Sequence, residues 1–219
     1  MNKVAIILSG CGNRDGSELQ ETLALALALD RNDVEYQYFA PRGEIEVYSY
    51  LDNSGTTGEK RQLFDEAARI ARGNILDLAT YSAKDYDGLA LPGGMGAARN
   101  LSSYDALGTR MSVHPLVERA IKETHAAKKP ICAMCIAPIL LAKVLGEFGV
   151  GLTLGNPGPA AEAAEEMGAL HYEAESNDCV VDRDNRVVTT PAYMVAHRIS
   201  EIFDGAEIMV EEFVKLLSL

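Results

Sequence analysis

An apolar run, Ile131-Cys132-Ala133-Met134, stops at Cys135, and a second apolar stretch, Ile139-Leu140-Leu141-Ala142, follows with helical character. That pattern predicts a strand turning sharply into a helix at one nucleophilic residue. Such an elbow lifts the side chain out of the sheet and sets it at a helix N-terminus, where partial positive charge favours an anion. A thiol held there is expected to have its pKa lowered from about 8.5 to neutral or below. Cys135 is the candidate nucleophile.

Three other stretches carry residue types suited to the same chemistry. Leu91-Pro92-Gly93-Gly94-Met95-Gly96 releases backbone N–H groups at the end of a strand. Gly93 and Gly94, with the amide of Ile136, are candidate oxyanion donors, a contribution of ~3–4 kcal/mol in comparable sites. The same run also has the composition of an ordinary Gly-rich turn. It is not a dinucleotide fingerprint, because the spacing fails and no acidic residue follows at the expected distance. Glu18, after Gly16-Ser17, opens a helix, where it either caps the helix and complements its dipole or serves the thiol as general acid/base. Cys11, flanked by Gly10 and Gly12, is a candidate second or resolving thiol, or a turn residue.

Cys132 sits three residues back inside the strand, so the Cys132–Cys135 spacing is read as a core residue beside a nucleophile and not as a redox pair. Ile136, not histidine, follows Cys135, which leaves the elbow without an adjacent base. His171, on a short strand expected to return to the cleft, is the candidate histidine. His114 begins a helix, and His125 and His197 fall on long ones. No two histidines have zinc-ligand spacing on one face, so neither a metal nor another cofactor is expected.

These residues need a scaffold that brings strand ends together. Short apolar strands are predicted at 4–8, 34–39, 88–91, 131–134, 179–181 and 186–190. They alternate with helices at 17–29, 60–72, 115–127, 136–145, 160–167 and 193–217. The alternation implies an α/β fold, a mostly parallel sheet covered on both faces, in which ligands bind beyond the carboxyl ends of the strands. Cys11, Gly93-Gly94, Cys135 and Thr190-Pro191-Ala192-Tyr193 all follow predicted strands. Residues 43–58, polar and Gly-rich, interrupt the alternation as an insertion or an excursion on the lid side. Residues 182–185 read as a hairpin turn. No linker or repeat divides the chain, so residues 1–219 are expected to form one domain.

The chain of 219 residues is 47% hydrophobic, with Lys+Arg 20 against Asp+Glu 32 and a net charge of -12. That charge repels phosphate backbones and anionic lipid, which argues against nucleic-acid and membrane partners. Four cysteines without a framework spacing suit a reducing compartment, and a cytoplasmic location is expected.

Taken together, Leu91-Pro92-Gly93-Gly94, the elbow Ala133-Met134-Cys135-Ile136-Ala137-Pro138 and Glu18 resemble the PfpI-like, class I glutamine-amidotransferase-like superfamily. Ile7-Leu8-Ser9-Gly10-Cys11-Gly12, Asp15-Gly16-Ser17-Glu18, the stretch from Glu66 to Gly73, and Val188-Thr189-Thr190-Pro191-Ala192-Tyr193-Met194 narrow the resemblance. They look like the enhancing-lycopene-biosynthesis (ElbB) branch of isoprenoid-biosynthesis proteins with an amidotransferase-like domain. The resemblance implies a flavodoxin-like three-layer sandwich, usually a homodimer, with Cys135 as nucleophile, Glu18 as its carboxylate partner and Gly93 and Gly94 as oxyanion donors. His171-Tyr172 resembles a pair that supplies a cleft histidine in the related deglycase. Ile136 departs from the histidine that amidotransferases and PfpI-type proteases carry after the elbow cysteine.

The leading expectation is a cofactor-independent glyoxalase-type lyase that converts small 2-oxoaldehydes to hydroxy acids through a Cys135 hemithioacetal. Its partner would be a small carbonyl substrate. A cysteine redox sensor linked to isoprenoid biosynthesis is the rival from another class, with Cys11 as resolving thiol, and an amidotransferase-like subunit is a third.

Overall fold

A computed structural model describes residues 1–52 and 54–218. Its strands are β1 (Lys3–Ile7), β2 (Glu35–Ala40), β3 (Glu44–Tyr48), β4 (Thr56–Gln62), β5 (Ile75–Asp77), β6 (Gly88–Leu91), β7 (Ile131–Met134), β8 (Gly151–Leu152), β9 (Leu170–His171), β10 (Val180–Asp182) and β11 (Val187–Thr190). The helices are α1 (Leu19–Arg31), α2 (Leu63–Ile70), α3 (Met95–Arg99), α4 (Tyr104–Leu107), α5 (Pro115–Ala126), α6 (Pro138–Leu145), α7 (Pro159–Glu166) and α8 (Ile199–Leu217).

Seven strands form the central sheet in the order β10-β11-β7-β6-β1-β2-β5. All neighbours are parallel except β10 and β11, which the turn at 182–185 joins as an antiparallel pair. This is the α/β arrangement expected, with helices flanking a mostly parallel sheet. α1 packs on α8, and α5 packs on α6. The central strands β6, β7 and β11 are buried at every residue, which is why they read as unbroken apolar runs, whereas the edge strands β5 and β10 are partly exposed.

Two departures from the sequence reading matter for function. Residues 43–58 hold most of a hairpin, β3–β4, that stands outside the sheet. It buries Ile45 and is tied to the loop after β1 by Asp15, which accepts from Tyr48 N–H at 3.0 Å and from the Tyr50 hydroxyl at 2.6 Å. The last predicted helix is shorter than expected. Ala192 takes a left-handed backbone (φ 45°) in a single turn at Ala192–Met194, and α8 starts only at Ile199.

Candidate active site

The site is assembled from the carboxyl ends of β1, β6, β7 and β11. Backbone bonds fix the first two together: Glu18 N–H donates to Gly93 O at 3.0 Å, Met95 N–H to Asn13 O at 2.8 Å and Gly96 N–H to Gly16 O at 3.0 Å. The approach is so close that glycine is required. A Cβ on Gly94, whose φ is 99°, would overlap Gly16 O and Glu18 N. One on Gly93 would overlap Glu21 Oε2 and the Cβ of Cys135. On the other side, Cys135 N–H donates to Thr190 O at 3.0 Å, joining β7 to β11.

Cys135 lies at the elbow expected of it. Its φ of 61° is a left-handed conformation that a residue with a Cβ adopts at a cost of order 1–3 kcal/mol, repaid here by the packing of both flanking elements. The kink turns the side chain into a cleft of about 410 Å³. Asn13, Gln20, Met95, Ile136, Tyr193 and Met194 surround it, together with Glu18, Glu21 and Gly94.

The expected depression of the thiol pKa is corrected by this geometry. Cys135 is 8% exposed, and burial pushes its pKa well above the ordinary thiol value, with the neighbouring Glu21 charge adding to the rise. The backbone N–H groups of Gly94 and Ile136 act in the opposite direction and favour the thiolate. They do not prevail, because α6 begins only at Pro138, beyond a turn, and the sulfur is enclosed instead of facing the helix end.

The carboxylate that meets the thiol is Glu21, not Glu18. Glu18 lines the cleft, but its Oε2 accepts the backbone N–H of Glu21 at 2.7 Å and caps α1. Burial raises the Glu18 pKa, while the N–H groups of Glu21, Gln20 and Leu19 counter the rise. Glu21 is 0% exposed. Its Oε1 accepts from Tyr193 N–H at 3.2 Å, and its Oε2 is buried against the Gly93 N–H and the Cys135 thiol, both of which favour its carboxylate from outside strict hydrogen-bond geometry. Burial first, and the charge of Glu18 second, push its pKa up to about 8, so Glu21 holds a proton at neutral pH. A buried carboxyl group beside a buried thiol is a proton shared between two acids: ionising one opposes ionising the other.

Glu21 is the cleft carboxyl group beside Cys135 that the sequence reading missed. A signal for it exists. Along α1 the buried positions Glu21, Leu25, Ala28 and Leu29 fall on one face, so a carboxylate occupies an apolar stripe, where it requires a partner.

Other expected site residues lie elsewhere. His171 does not line the cleft. β9 pairs with β8 in a two-stranded ribbon outside the central sheet, which carries the ring away from Cys135 and leaves its Nε2 buried without a partner. Cys11 also does not line the cleft. It bridges to Ser17 and is raised in pKa by burial and then by Glu66, with Arg69 opposing. Gly93 sets its backbone on Glu21, and the donors near the sulfur are Gly94 and Ile136. Cys132 is a core residue, 0% exposed.

This constellation has relatives. Residues 14–196 match the model of the DJ-1/PfpI family. The chain belongs to the DJ-1/PfpI family. It is similar to the human protein named glutamine amidotransferase-like class 1 domain-containing protein 3, mitochondrial, with 42% identity covering 98% of this chain and 83% of the human one. The rat ES1 protein homolog, mitochondrial, is 40% identical over 98% of this chain and 84% of its own length. Among solved structures, the isoprenoid biosynthesis protein with amidotransferase-like domain from Ehrlichia chaffeensis matches with a TM-score of 0.90. It is 32% identical, and the match covers 97% of this chain and 99% of that one. The cytoplasmic expectation is overturned by these findings, since the curated relatives that match nearly the whole chain are named as mitochondrial proteins.

Proposed function

We propose that the chain is a cofactor-independent glyoxalase-type enzyme of the ElbB branch, working as one domain and as a homodimer, in which Cys135 and Glu21 convert a 2-oxoaldehyde to a 2-hydroxy acid. The observation that carries the reading is the fully buried Glu21 carboxyl group set against the Cys135 side chain in a cleft. Once the pair has lost one proton, the sulfur attacks the aldehyde carbon. The S–C bond forms, and the carbonyl oxygen becomes an alkoxide that takes the proton held by Glu21. Glu21, now a carboxylate, removes the C1 hydrogen of the hemithioacetal, and the electrons pass to the adjacent ketone oxygen as an enediolate. Return of a proton to C2 leaves a 2-hydroxy thioester, which water hydrolyses to the 2-hydroxy acid and the free thiol. The N–H groups of Gly94 and Ile136 stand where an oxyanion beside the sulfur would form.

Glu18 and His171 have less support as proton carriers, the first because it is engaged as a cap and the second because it lies outside the cleft. The redox-sensor alternative is disfavoured by the enclosure and raised pKa of Cys135 and by the absence of Cys11 from its cleft. Amidotransferase chemistry is disfavoured because no histidine lines the cleft among the described residues.

The test is turnover of methylglyoxal and glyoxal with detection of the hydroxy acid. Cys135→Ala is expected to abolish it, and Glu21→Gln to reduce it by at least ~100-fold, the scale of a lost general acid/base. Turnover is expected to rise with pH, because the attacking thiolate gains population as protons leave the pair. Unchanged turnover in Cys135→Ala would reject the reading.

A further inference from the structure

We infer that the Cys135 cleft is selective for uncharged carbonyl compounds bearing an apolar substituent larger than a methyl group, and that Glu18 with Met95 and Met194 sets this preference. The inference rests on the proposed reaction for the identity of the reacting group, but the selectivity itself follows from the walls of the cleft.

Charge is the first determinant. No Lys, Arg or His lines the cleft among the described residues, whereas two carboxyl groups do. Glu21 holds its proton at neutral pH. Glu18 differs, because it is only half-buried and, although burial raises its pKa, the backbone N–H groups of Glu21 (2.7 Å), Gln20 and Leu19 at the start of a 13-residue helix oppose the rise and favour the carboxylate. Two arginines on the loops and helix that carry cleft residues Asn13 and Met95 are engaged elsewhere. Arg14 turns its guanidinium to Ser49 O and the Tyr50 ring, and Arg99 pairs with Asp105 at 2.9 Å. A carboxylated or phosphorylated aldehyde entering this cleft would leave water for a site with a like charge and no counter-ion. A like charge at contact range in a partly buried site costs on the order of 1–2 kcal/mol, or about tenfold or more in occupancy.

Size and polarity are the second determinant. A cleft of about 410 Å³ falls within the range that holds ligands of ~300–1,000 Å³, far more than methylglyoxal fills. Met95, Ile136, Met194 and the ring of Tyr193 form the apolar part of the wall, alongside the uncharged polar side chains of Asn13 and Gln20. Met194 is 39% exposed and stands at the mouth, where an apolar substituent would cover it. Methionine adapts to varied apolar shapes, and each buried methylene contributes about 0.8 kcal/mol, close to fourfold in affinity.

Two experiments separate this inference from the reaction. In the first, Cys135 is alkylated with neutral iodoacetamide and with anionic iodoacetate at pH 7, where Glu21 keeps its proton, in incubations long enough to label the small thiolate fraction, using site-resolved mass spectrometry on the folded chain and on the urea-unfolded chain. The iodoacetamide-to-iodoacetate rate ratio at Cys135 is expected to be at least tenfold larger in the folded chain. Glu18→Gln, which keeps an oxygen to cap α1, is expected to bring most of that excess back. Equal ratios in folded and unfolded chains, or no iodoacetamide labelling of folded Cys135 even at pH 10, would overturn the inference whatever the enzyme's activity. In the second, kcat/KM for phenylglyoxal is compared with that for methylglyoxal. Phenylglyoxal is expected to exceed methylglyoxal by at least fivefold, and Met194→Ser to narrow the gap. Turnover without that preference would overturn the apolar half of the inference. Absent turnover of both aldehydes, with the alkylation ratio intact, would reject the proposed reaction while sustaining the selectivity for charge.

Discussion

The end of β7 and the β3–β4 hairpin make opposite use of the chain. β7 is buried at all four residues, and the residue after it is held in a left-handed conformation by backbone bonds to β11. β4 is exposed at all seven residues, and the hairpin meets the body of the protein through Ile45, Asp15 and Tyr50. In the first region, Cys135 N–H is fixed on Thr190 O and the Glu21 carboxyl group is shut away from water against Gly93 and Cys135. In the second, water can replace almost any contact. Chemistry that depends on a shifted pKa needs the first kind of environment, because a charge is costly only where solvent cannot reach it.

The largest expected effect is on the buried side and concerns pH. Glu21 has an ordinary pKa of 4.5 and a folded-state pKa of about 8, so the folded state holds a proton that the unfolded chain releases. The sign follows: the associated stability is complete below pH 4.5 and is lost as pH rises through about 8, a change of ~5 kcal/mol by linkage. Urea unfolding at pH 5 and pH 8.5 is therefore expected to show a steep loss of stability in the wild type and a much flatter dependence in Glu21→Gln. An equal slope in the two proteins would place Glu21 in solvent.

A smaller effect separates tight packing from open space. Gly93→Ala is expected to destabilise the fold by roughly 1–3 kcal/mol, since the new methyl must displace Glu21 or Cys135. It should also abolish Cys135 alkylation or alter its pH dependence. On the hairpin, Tyr50→Phe removes the bond to Asp15 and the acceptor of Arg14 N–H, with an expected cost of only ~1 kcal/mol. A urea midpoint lower for Tyr50→Phe than for Gly93→Ala would reverse the comparison.

The same contrast explains what could be read from the residues alone. Strands β6 and β7 are legible to the residue because burial on both faces leaves an unbroken apolar run with a sharp end. The elbow is legible for the same reason, as an apolar strand cannot turn into an apolar helix without placing one residue at the corner. The hairpin is not legible, since β4 reads Thr56-Thr57-Gly58-Glu59-Lys60-Arg61-Gln62 and has no apolar face to give a period of two. Glu18 and Glu21 differ in a way that local sequence only half records. Both are acids at the head of α1, and position alone suggests a cap for either. Which one caps and which one turns inward depends on Gly93 and Tyr193, which arrive from β6 and β11 far along the chain. The direction of the Cys135 shift was hidden for a related reason. A helix N-terminus would lower it, but the turn before Pro138 and the closure of the pocket around the sulfur decide otherwise.

The central claim is that Cys135 and Glu21 act as one ionising pair, and the pH profile of Cys135 alkylation tests it most directly. Iodoacetamide labelling, resolved by site from pH 6 to pH 11, should rise at Cys135 only above the ordinary thiol range in the wild type. Glu21→Gln removes the opposing charge and should move the midpoint to lower pH, while Glu18→Gln should move it less. A midpoint that is unchanged or higher in Glu21→Gln would contradict the shared-proton account.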